Sequence, residues 1–292
     1  MDQKTWILSK CSSLEGKTAA VTGATGGLGR EICRGVLMLK GNLLLLNRSE
    51  SKTKALKQEL LREFPRGEIA FFPLDLENMD SVNAACEYLS THIPDILLHN
   101  AGIYDVPRHL CSTGLDNIFQ VNFASPYYMT RQLLPALRQA RSHVAVVGSI
   151  AHTYSLSDPE DPDFHTRQQC HLAYGNSKRY LMYAFSALFQ DEPSVSFSIG
   201  HPGITLTNIS NHYPAWLFPL IRPFLKCFFM KPETAARGIL YALSHDLPNL
   251  SWAGPEYFHI WGNPGVKFLS TCSPEERQRI FKTAEAIYEK LL

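Results

Sequence analysis

Tyr174 and Lys178 lie four residues apart in Tyr174-Gly175-Asn176-Ser177-Lys178, a spacing that sets a phenol and an ammonium on one face of a helix. A phenol with a pKa near 10 exchanges protons poorly at neutral pH, and a fixed cation beside it stabilises the phenolate and draws that value down. Taken alone, such a pair is common on exposed helices. Here it stands downstream of a strand ending in Val147-Gly148-Ser149 and of Asn122 in Val121-Asn122-Phe123. The coincidence of all four side chains, rather than the pair, carries the specificity.

A second candidate site precedes them. Thr22-Gly23-Ala24-Thr25-Gly26-Gly27-Leu28-Gly29 follows the first apolar run of the chain. A strand turning sharply into a helix needs glycines where Cβ would clash, and the amides at the helix start then point at whatever sits there, which suits a pyrophosphate. Tight-turn glycines with no ligand are the plainer alternative, and the place of the turn after a first strand favours the binding role. Its candidate contacts are Gly23, Thr25, Gly27, Leu28 and Gly29. A dinucleotide fingerprint would put an acid at the end of the second strand; this chain has Asn47-Arg48 there. A carboxylate repels a 2′-phosphate and a guanidinium pairs with it, so the pair favours NADP(H) over NAD(H), unless Arg48 is simply a solvated loop cation. Asp75-Leu76, at the end of the third apolar run, is placed over an adenine or is an ordinary turn.

The elements that must position these groups are legible as short continuous apolar runs: Thr18 to Thr22, Leu43 to Leu46, Ile69 to Phe72, Ile96 to His99, Val144 to Gly148 and Val195 to Ile199. Continuous runs mark strands covered on both faces. Mixed segments at helical spacing lie between them, as over Ser51 to Phe64. Strand, helix, strand at this period predicts an α/β, Rossmann-type, doubly wound parallel sheet in a single domain. Ser273-Pro274-Glu275-Glu276 offers a capping hydroxyl, a first-turn proline and a returning carboxylate, and predicts a C-terminal amphipathic helix carrying Ile280, Ala284, Ile287 and Leu291.

Composition narrows the function classes. The 292 residues carry 28 Lys+Arg against 27 Asp+Glu, a net charge of +1 with no basic run, so nucleic acid is not an expected partner. Cys11, Cys33, Cys86, Cys111, Cys170, Cys227 and Cys272 are odd in number and show no CxxC spacing. Free thiols, no metal site and a cytoplasmic location are the expectation. His109, His152, His165 and His171 show no metal-ligand spacing either. The first residues lack an apolar run of signal-peptide length, so no secretory signal is expected. The most apolar stretch, Pro214 to Met230, contains Arg222, Lys226 and three prolines and is too broken to span a bilayer.

From about Leu14 to about Tyr257 the chain resembles the short-chain dehydrogenase/reductase family. The matching motifs are Gly23, Gly27 and Gly29 of TGxxxGxG, Asn100-Ala101-Gly102, Asn122, Ser149, Tyr174 with Lys178, and Pro202-Gly203 with Thr207. Within the family it is similar to the retinol dehydrogenase and protochlorophyllide reductase-like branch, through Ser149-Ile150-Ala151-His152, the 25-residue step from Ser149 to Tyr174, Asn47-Arg48 and the apolar segment after Pro202-Gly203. Two positions depart from the common pattern: His99 stands where Asn usually precedes the NAG motif, and Gly26 where many NADP-using members have a basic residue.

The resemblance implies that Asn122, Ser149, Tyr174 and Lys178 are the catalytic tetrad. Ser149 would hold the substrate oxygen, and Tyr174 would exchange its proton. Lys178 would serve the tyrosine and the nicotinamide ribose, while Asn122 would hold a water on the way to Lys178. Asn100-Ala101-Gly102 would stabilise the central strand beside the coenzyme, and Pro202-Gly203 with Thr207 would meet the nicotinamide amide.

The segment Tyr213 to Met230, with Trp216, Phe218, Phe224, Phe228 and Phe229, falls where the family keeps its substrate lid. It implies a bulky apolar carbonyl or alcohol, of retinoid, steroid or lipid type. A helix sealing the core and a peripheral membrane contact through residues 214–230 stay open as alternatives. The expected organisation is an extension over residues 1–13 and a catalytic domain over 14–292, with the lid at about 204–231; a homo-oligomer is left open. The competing function class is a dinucleotide-binding regulator or scaffold without turnover, against which the complete tetrad argues.

Overall fold

The computed structural model describes residues 2–204 and 230–292. Strands β1 (Thr18–Thr22), β2 (Asn42–Asn47), β3 (Ile69–Pro73), β4 (Ile96–His99), β5 (His143–Val147), β6 (Ser196–Gly200), β7 (Ser251–Tyr257) and β8 (Trp261–Phe268) form one sheet in the order β3-β2-β1-β4-β5-β6-β7-β8. All neighbours run parallel except β7 and β8. The chain winds outward from β1 to β3 and then crosses back to β4. That reversal opens a crevice at the carboxyl ends of β1 and β4, where open α/β sheets bind ligands.

Alternation along the strands explains why they read as unbroken apolar runs. Leu44 and Leu46 enter one core with Ala20, Leu97, Val144 and Val146. Leu43 and Leu45 enter the other with Ala19, Val21, Ile96, Leu98, Ala145 and Val147. Side chains of the central strands β1, β2, β4 and β5 therefore meet a helix layer, whichever way they point. The first core is covered by α4 (Met79–Thr91), α6 (Ser125–Ala140), α7 (Cys170–Leu188) and α9 (Pro274–Leu291). The second lies under α1 (Gln3–Lys10), α2 (Gly27–Met38), α3 (Glu50–Glu63) and α8 (Pro232–Ser244). Between β4 and α6 a short helix α5 (Asn117–Phe119) runs into a π-helical turn, Gln120–Ala124.

Ahead of residue 14, α1 buries Trp6 and Ile7 in the second core, and Gln3 pairs with Arg237 of α8. Two details depart from the expected elements. Strands β7 and β8 were not anticipated: Pro255 and Pro264, facing each other in the hairpin, and the glycines around them interrupt any strand pattern. Pro264 is tolerated because β8 is an edge strand, and Pro255 because it lies beyond Ala253, where β7 pairs with β6. Ser273 does cap α9, accepting from the Glu276 amide at 3.2 Å, but the Glu276 carboxylate does not return to the cap. It pairs with buried Arg179, which needs a counter-charge more than a helix end needs a second cap.

His99 is a buried strand-end histidine satisfied on one side only: its Nε2 meets Thr130 Oγ1 at 2.8 Å, its Nδ1 has no hydrogen-bond partner, and burial pushes its pKa down to about 3. The described cysteines are free thiols, and Cys227 lies outside the described residues. Among the described residues no helix is long and apolar enough to cross a membrane.

Candidate active site

The glycine turn is shaped by close approach. Gly23 has φ +65°, and a Cβ there would lie 2.7 Å from Ala101 Cα. A Cβ on Gly29 would lie 2.5 Å from the Gly23 carbonyl oxygen. The cap of α2 is Gly26, which makes no side-chain hydrogen bond, and the first turn holds no acid. The leading amides of α2 thus have no side-chain acceptor from the cap, and a positive helix end faces the crevice.

Asn100 and Ala101 lock this turn to β4. Their amides donate to Thr22 Oγ1 at 3.0 and 2.9 Å, and Asn100 Nδ2 donates to the carbonyls of Thr22 at 2.8 Å and Gly23 at 3.1 Å. Thr22, which the sequence reading did not single out, is therefore the hub that joins the ends of β1 and β4.

One cleft of about 940 Å³ runs along the strand ends. Gly23, Thr25, Gly27, Leu28 and Gly29 line its middle; Asn47, Arg48, Asp75 and Leu76 line one end. Asn100, Ala101, Gly102, Ser149, Tyr174, Lys178, Pro202 and Gly203 line the rest. Thr207 lies outside the described residues, as do Trp216, Phe218, Phe224, Phe228 and Phe229. Asn122 sits behind the wall rather than in it.

Arg48 is 71% exposed, with Nη1 4.0 Å from Asp75 Oδ2 and 3.9 Å from Glu77 Oε1. Asp75 Oδ1 accepts from the Glu77 amide at 3.1 Å, an Asx turn that fixes the acid beside the guanidinium. The Asn47 carboxamide is buried at the same end with neither polar atom hydrogen-bonded.

At the other end, β5 delivers Ser149 and α7 delivers Tyr174 and Lys178. Ser149 caps a 3₁₀ turn, Ile150–Thr153, accepting from the Ala151 amide at 3.2 Å. Gly175 lets α7 approach this turn, since a Cβ there would lie 2.5 Å from the Ala151 carbonyl oxygen. Lys178 Nζ donates to the Val147 carbonyl at 3.0 Å and lies 5.8 Å from the Tyr174 ring centre.

Burial pushes the Tyr174 hydroxyl up to about 12, against the opposing pull of its hydrogen bond with Ser149. Burial also draws the Lys178 ammonium down to about 8. The expectation that the lysine lowers the tyrosine is thus outweighed in the protein alone, because Nζ is turned to a backbone carbonyl and both groups are desolvated.

Asn122 stands in the π-helical turn, a distortion that aims its carboxamide out of the helix. Oδ1 accepts from the Ile103 amide at 2.8 Å, and Nδ2 donates to the Ile103 carbonyl and to Ser177 Oγ, both at 3.0 Å. It ties the segment after Gly102 to α7, one residue from Lys178. A Cβ on Gly102 would lie 3.2 Å from Asn122 Oδ1 and 3.5 Å from Lys178 Nζ, so glycine is what lets these groups share the space.

The fold also gathers residues that spacing did not bring together. Ile103, Tyr104, Val106, Ile150 and Tyr154 form an apolar wall, and Tyr104 packs edge-on against Tyr174 with ring centres 4.9 Å apart. Glu77, His109 and Cys111 converge at the rim, and Asp161, Asp163 and His165 converge in the loop before α7. Within them His109 Nε2 lies 3.3 Å from Glu77 Oε2, and His165 Nδ1 lies 2.9 Å from Asp163 Oδ1.

A sheet wound in this order with this cleft at its switch point defines a dinucleotide-fold protein, and comparison with known proteins gives the class. The short chain dehydrogenase pattern matches residues 17–216, so the chain belongs to the short-chain dehydrogenase/reductase family. Its relatives put it in the retinol dehydrogenase-like branch. It is 34% identical over 249 residues to "Dehydrogenase/reductase SDR family member 13" of Bos taurus, covering 82% of this chain and 66% of the relative, just under two thirds of that protein's length. It is 30% identical over 256 residues to "Retinol dehydrogenase 14" of Mus musculus, covering 82% of this chain and 77% of that one. Among solved structures, a crystal structure of an uncharacterized protein from Mycobacterium paratuberculosis superposes with a TM-score of 0.77 at 23% identity, covering 96% of each chain.

Proposed function

We propose that this protein is an NADP(H)-dependent oxidoreductase that interconverts a carbonyl and an alcohol on a bulky apolar substrate. The observation that carries the reading is the convergence of Ser149, Tyr174 and Lys178 on one cleft with the glycine turn at its middle. NADP(H), when bound, supplies or receives the hydride.

The residues present fit such a group. The first-turn amides of α2 would take the pyrophosphate, Asp75 and Leu76 the adenine end, Arg48 the 2′-phosphate, and Pro202-Gly203 with Thr207 the nicotinamide end. Asn47, with an unsatisfied carboxamide, has hydrogen bonds to give at the same place. In reduction Ser149 Oγ holds the substrate oxygen and the Tyr174 hydroxyl hands it a proton; oxidation reverses the transfer. Lys178 keeps the developing phenolate charge favourable and holds the nicotinamide ribose. Asn122 supports Lys178 through Ser177 and the segment after Gly102. The apolar wall of Ile103, Tyr104, Val106, Ile150 and Tyr154 supports a hydrophobic substrate, with residues about 204–231 as its lid within a catalytic domain over 14–292.

NADPH consumption measured against all-trans-retinal, a steroid ketone, nonanal and glyceraldehyde tests the proposal. Turnover should favour the apolar carbonyls. Best turnover with glyceraldehyde would overturn the substrate class, and no turnover with any member would favour a binding protein.

A further inference from the structure

Ser149 is joined to the C-terminal helix by a continuous buried chain of hydrogen bonds. The Ser149 carbonyl accepts from His152 Nδ1 at 2.7 Å, and the His152 carbonyl accepts from Arg179 Nη1 at 2.8 Å. Arg179, the residue after Lys178 on α7, is gripped by Glu276: Nε donates to Oε1 at 2.8 Å and Nη2 to Oε2 at 2.7 Å. Glu276 Oε1 also accepts from the amide of Ser157 at 3.0 Å and from its hydroxyl at 2.9 Å. Arg179 and Glu276 are 1% and 5% exposed.

The two ends of this network bracket the turn that bears Ser149. His152 closes the 3₁₀ turn from inside, and Ser157 holds the chain leaving it. Burying an ion pair is a poor way to gain stability, since two well-packed apolar residues would serve as well. What a two-pronged guanidinium–carboxylate pair adds is direction. It relates the loop after β5, the helix bearing Tyr174 and Lys178, and α9 in one fixed arrangement. Burial pushes the Glu276 carboxyl up, but Arg179 and the Ser157 amide more than offset that and hold it near about 2, so the pair stays charged over the working pH range. Burial keeps His152 neutral, with a pKa of about 4, which leaves Nδ1–H as its donor to Ser149.

We propose that Arg179 and Glu276 are positioning residues for Ser149, setting its hydroxyl against Tyr174 from a helix that does not touch the cleft. This rests on the oxidoreductase reading above. A displacement of about 1 Å in a reacting group can cost on the order of 10²-fold in rate, so loosening the network should lower kcat and leave coenzyme affinity alone.

The test compares Glu276→Ala and Glu276→Gln with Ser273→Ala, which loosens the same helix end without touching Arg179. NADPH binding is titrated by fluorescence, turnover is measured with NADPH and all-trans-retinal or nonanal, and backbone hydrogen exchange is followed over residues 149–157. Glu276→Ala should lose roughly 10- to 100-fold in kcat with full NADPH stoichiometry and a dissociation constant within about twofold of the parent, and exchange over 149–157 should quicken. Glu276→Gln, which keeps the shape and an acceptor for Ser157, should recover part of the loss and stands in where Glu276→Ala does not fold. Ser273→Ala should keep the parent's kcat and exchange over 149–157. Parent-like kcat in both Glu276 variants, or an equal loss in Ser273→Ala, overturns the proposal alone. A parent protein inactive on both probes overturns the oxidoreductase reading, and the proposal with it.

Discussion

Gly23 and Gly29 hold the turn into α2 because no side chain has room to enter it, whereas Ser149 sits on a turn held from outside by Arg179 and Glu276. The first region is built from residues that follow one another in the chain, closed by the Thr22 and Asn100 clasp. The second depends on Glu276, which lies 97 residues from Arg179 and 119 from Ser157. A steric turn fails when something is added to it; a networked turn fails when something is taken away. Substitutions of each kind separate coenzyme binding from chemistry.

The largest effect is expected at the networked end. Tyr174→Phe removes only the proton-transfer oxygen, so kcat should fall by a factor on the order of 10² to 10⁴ while NADPH still binds; a single-turnover assay with all-trans-retinal reads it. Near-full turnover would show that the proton donor is another group. At the steric end, Gly29→Ala places a methyl 2.5 Å from the Gly23 carbonyl oxygen. An overpacking cost of about 1 to 3 kcal/mol should appear as weaker NADPH binding by calorimetry, with kcat at saturating coenzyme spared.

The pH profile sharpens the contrast. Lys178 has a pKa drawn down to about 8, so its ammonium is present below that pH and lost above it, while Tyr174, pushed up to about 12, stays protonated throughout. Reduction should hold level up to about pH 8 and then decline as the Lys178 ammonium is lost, and oxidation should rise relative to reduction because the phenolate fraction it uses, small at every pH below about 12, grows with pH. Parallel profiles for both directions would contradict this assignment.

Smaller effects are expected at the Arg48 end. Arg48→Ala should weaken NADPH roughly tenfold, from about 1.5 kcal/mol for a charge-assisted contact, and leave NADH unchanged in parallel titrations. Glu77→Gln removes a carboxylate 3.9 Å from Arg48. For so exposed a pair the change should be below about 1 kcal/mol, seen as slightly tighter NADPH binding with NADH unaffected.

These differences also explain what the sequence could disclose. Strands β1, β2, β4 and β5 are legible because burial on both faces leaves continuous apolar runs, the more exposed β3 and β6 because their shorter apolar stretches recur at the same period, and the glycine turn because steric need selects one residue type. Strands β7 and β8 were hidden by Pro255, Pro264 and their glycines. Glu276 was read as a returning cap because its spacing from Ser273 suits one; only the fold shows Arg179 waiting behind it. Thr22, Glu77 and the Tyr104 wall carry no local signal, since their importance comes from strands and loops brought together across the sheet. Asn122 was found through the family motif, while its hold on Ile103 and Ser177 depends on a π-helical turn that no pattern in the chain announces.

The central claim is hydride exchange between NADP(H) and an apolar carbonyl at Tyr174. NADPH carrying deuterium at the transferable nicotinamide position, incubated with the protein and all-trans-retinal, tests it most directly by mass spectrometry of the extracted product. The account predicts retinol carrying one deuterium, formed in step with NADP⁺ and absent from the Tyr174→Phe protein. Bound coenzyme that stays reduced, with retinal and the other apolar carbonyls recovered unchanged, would contradict it.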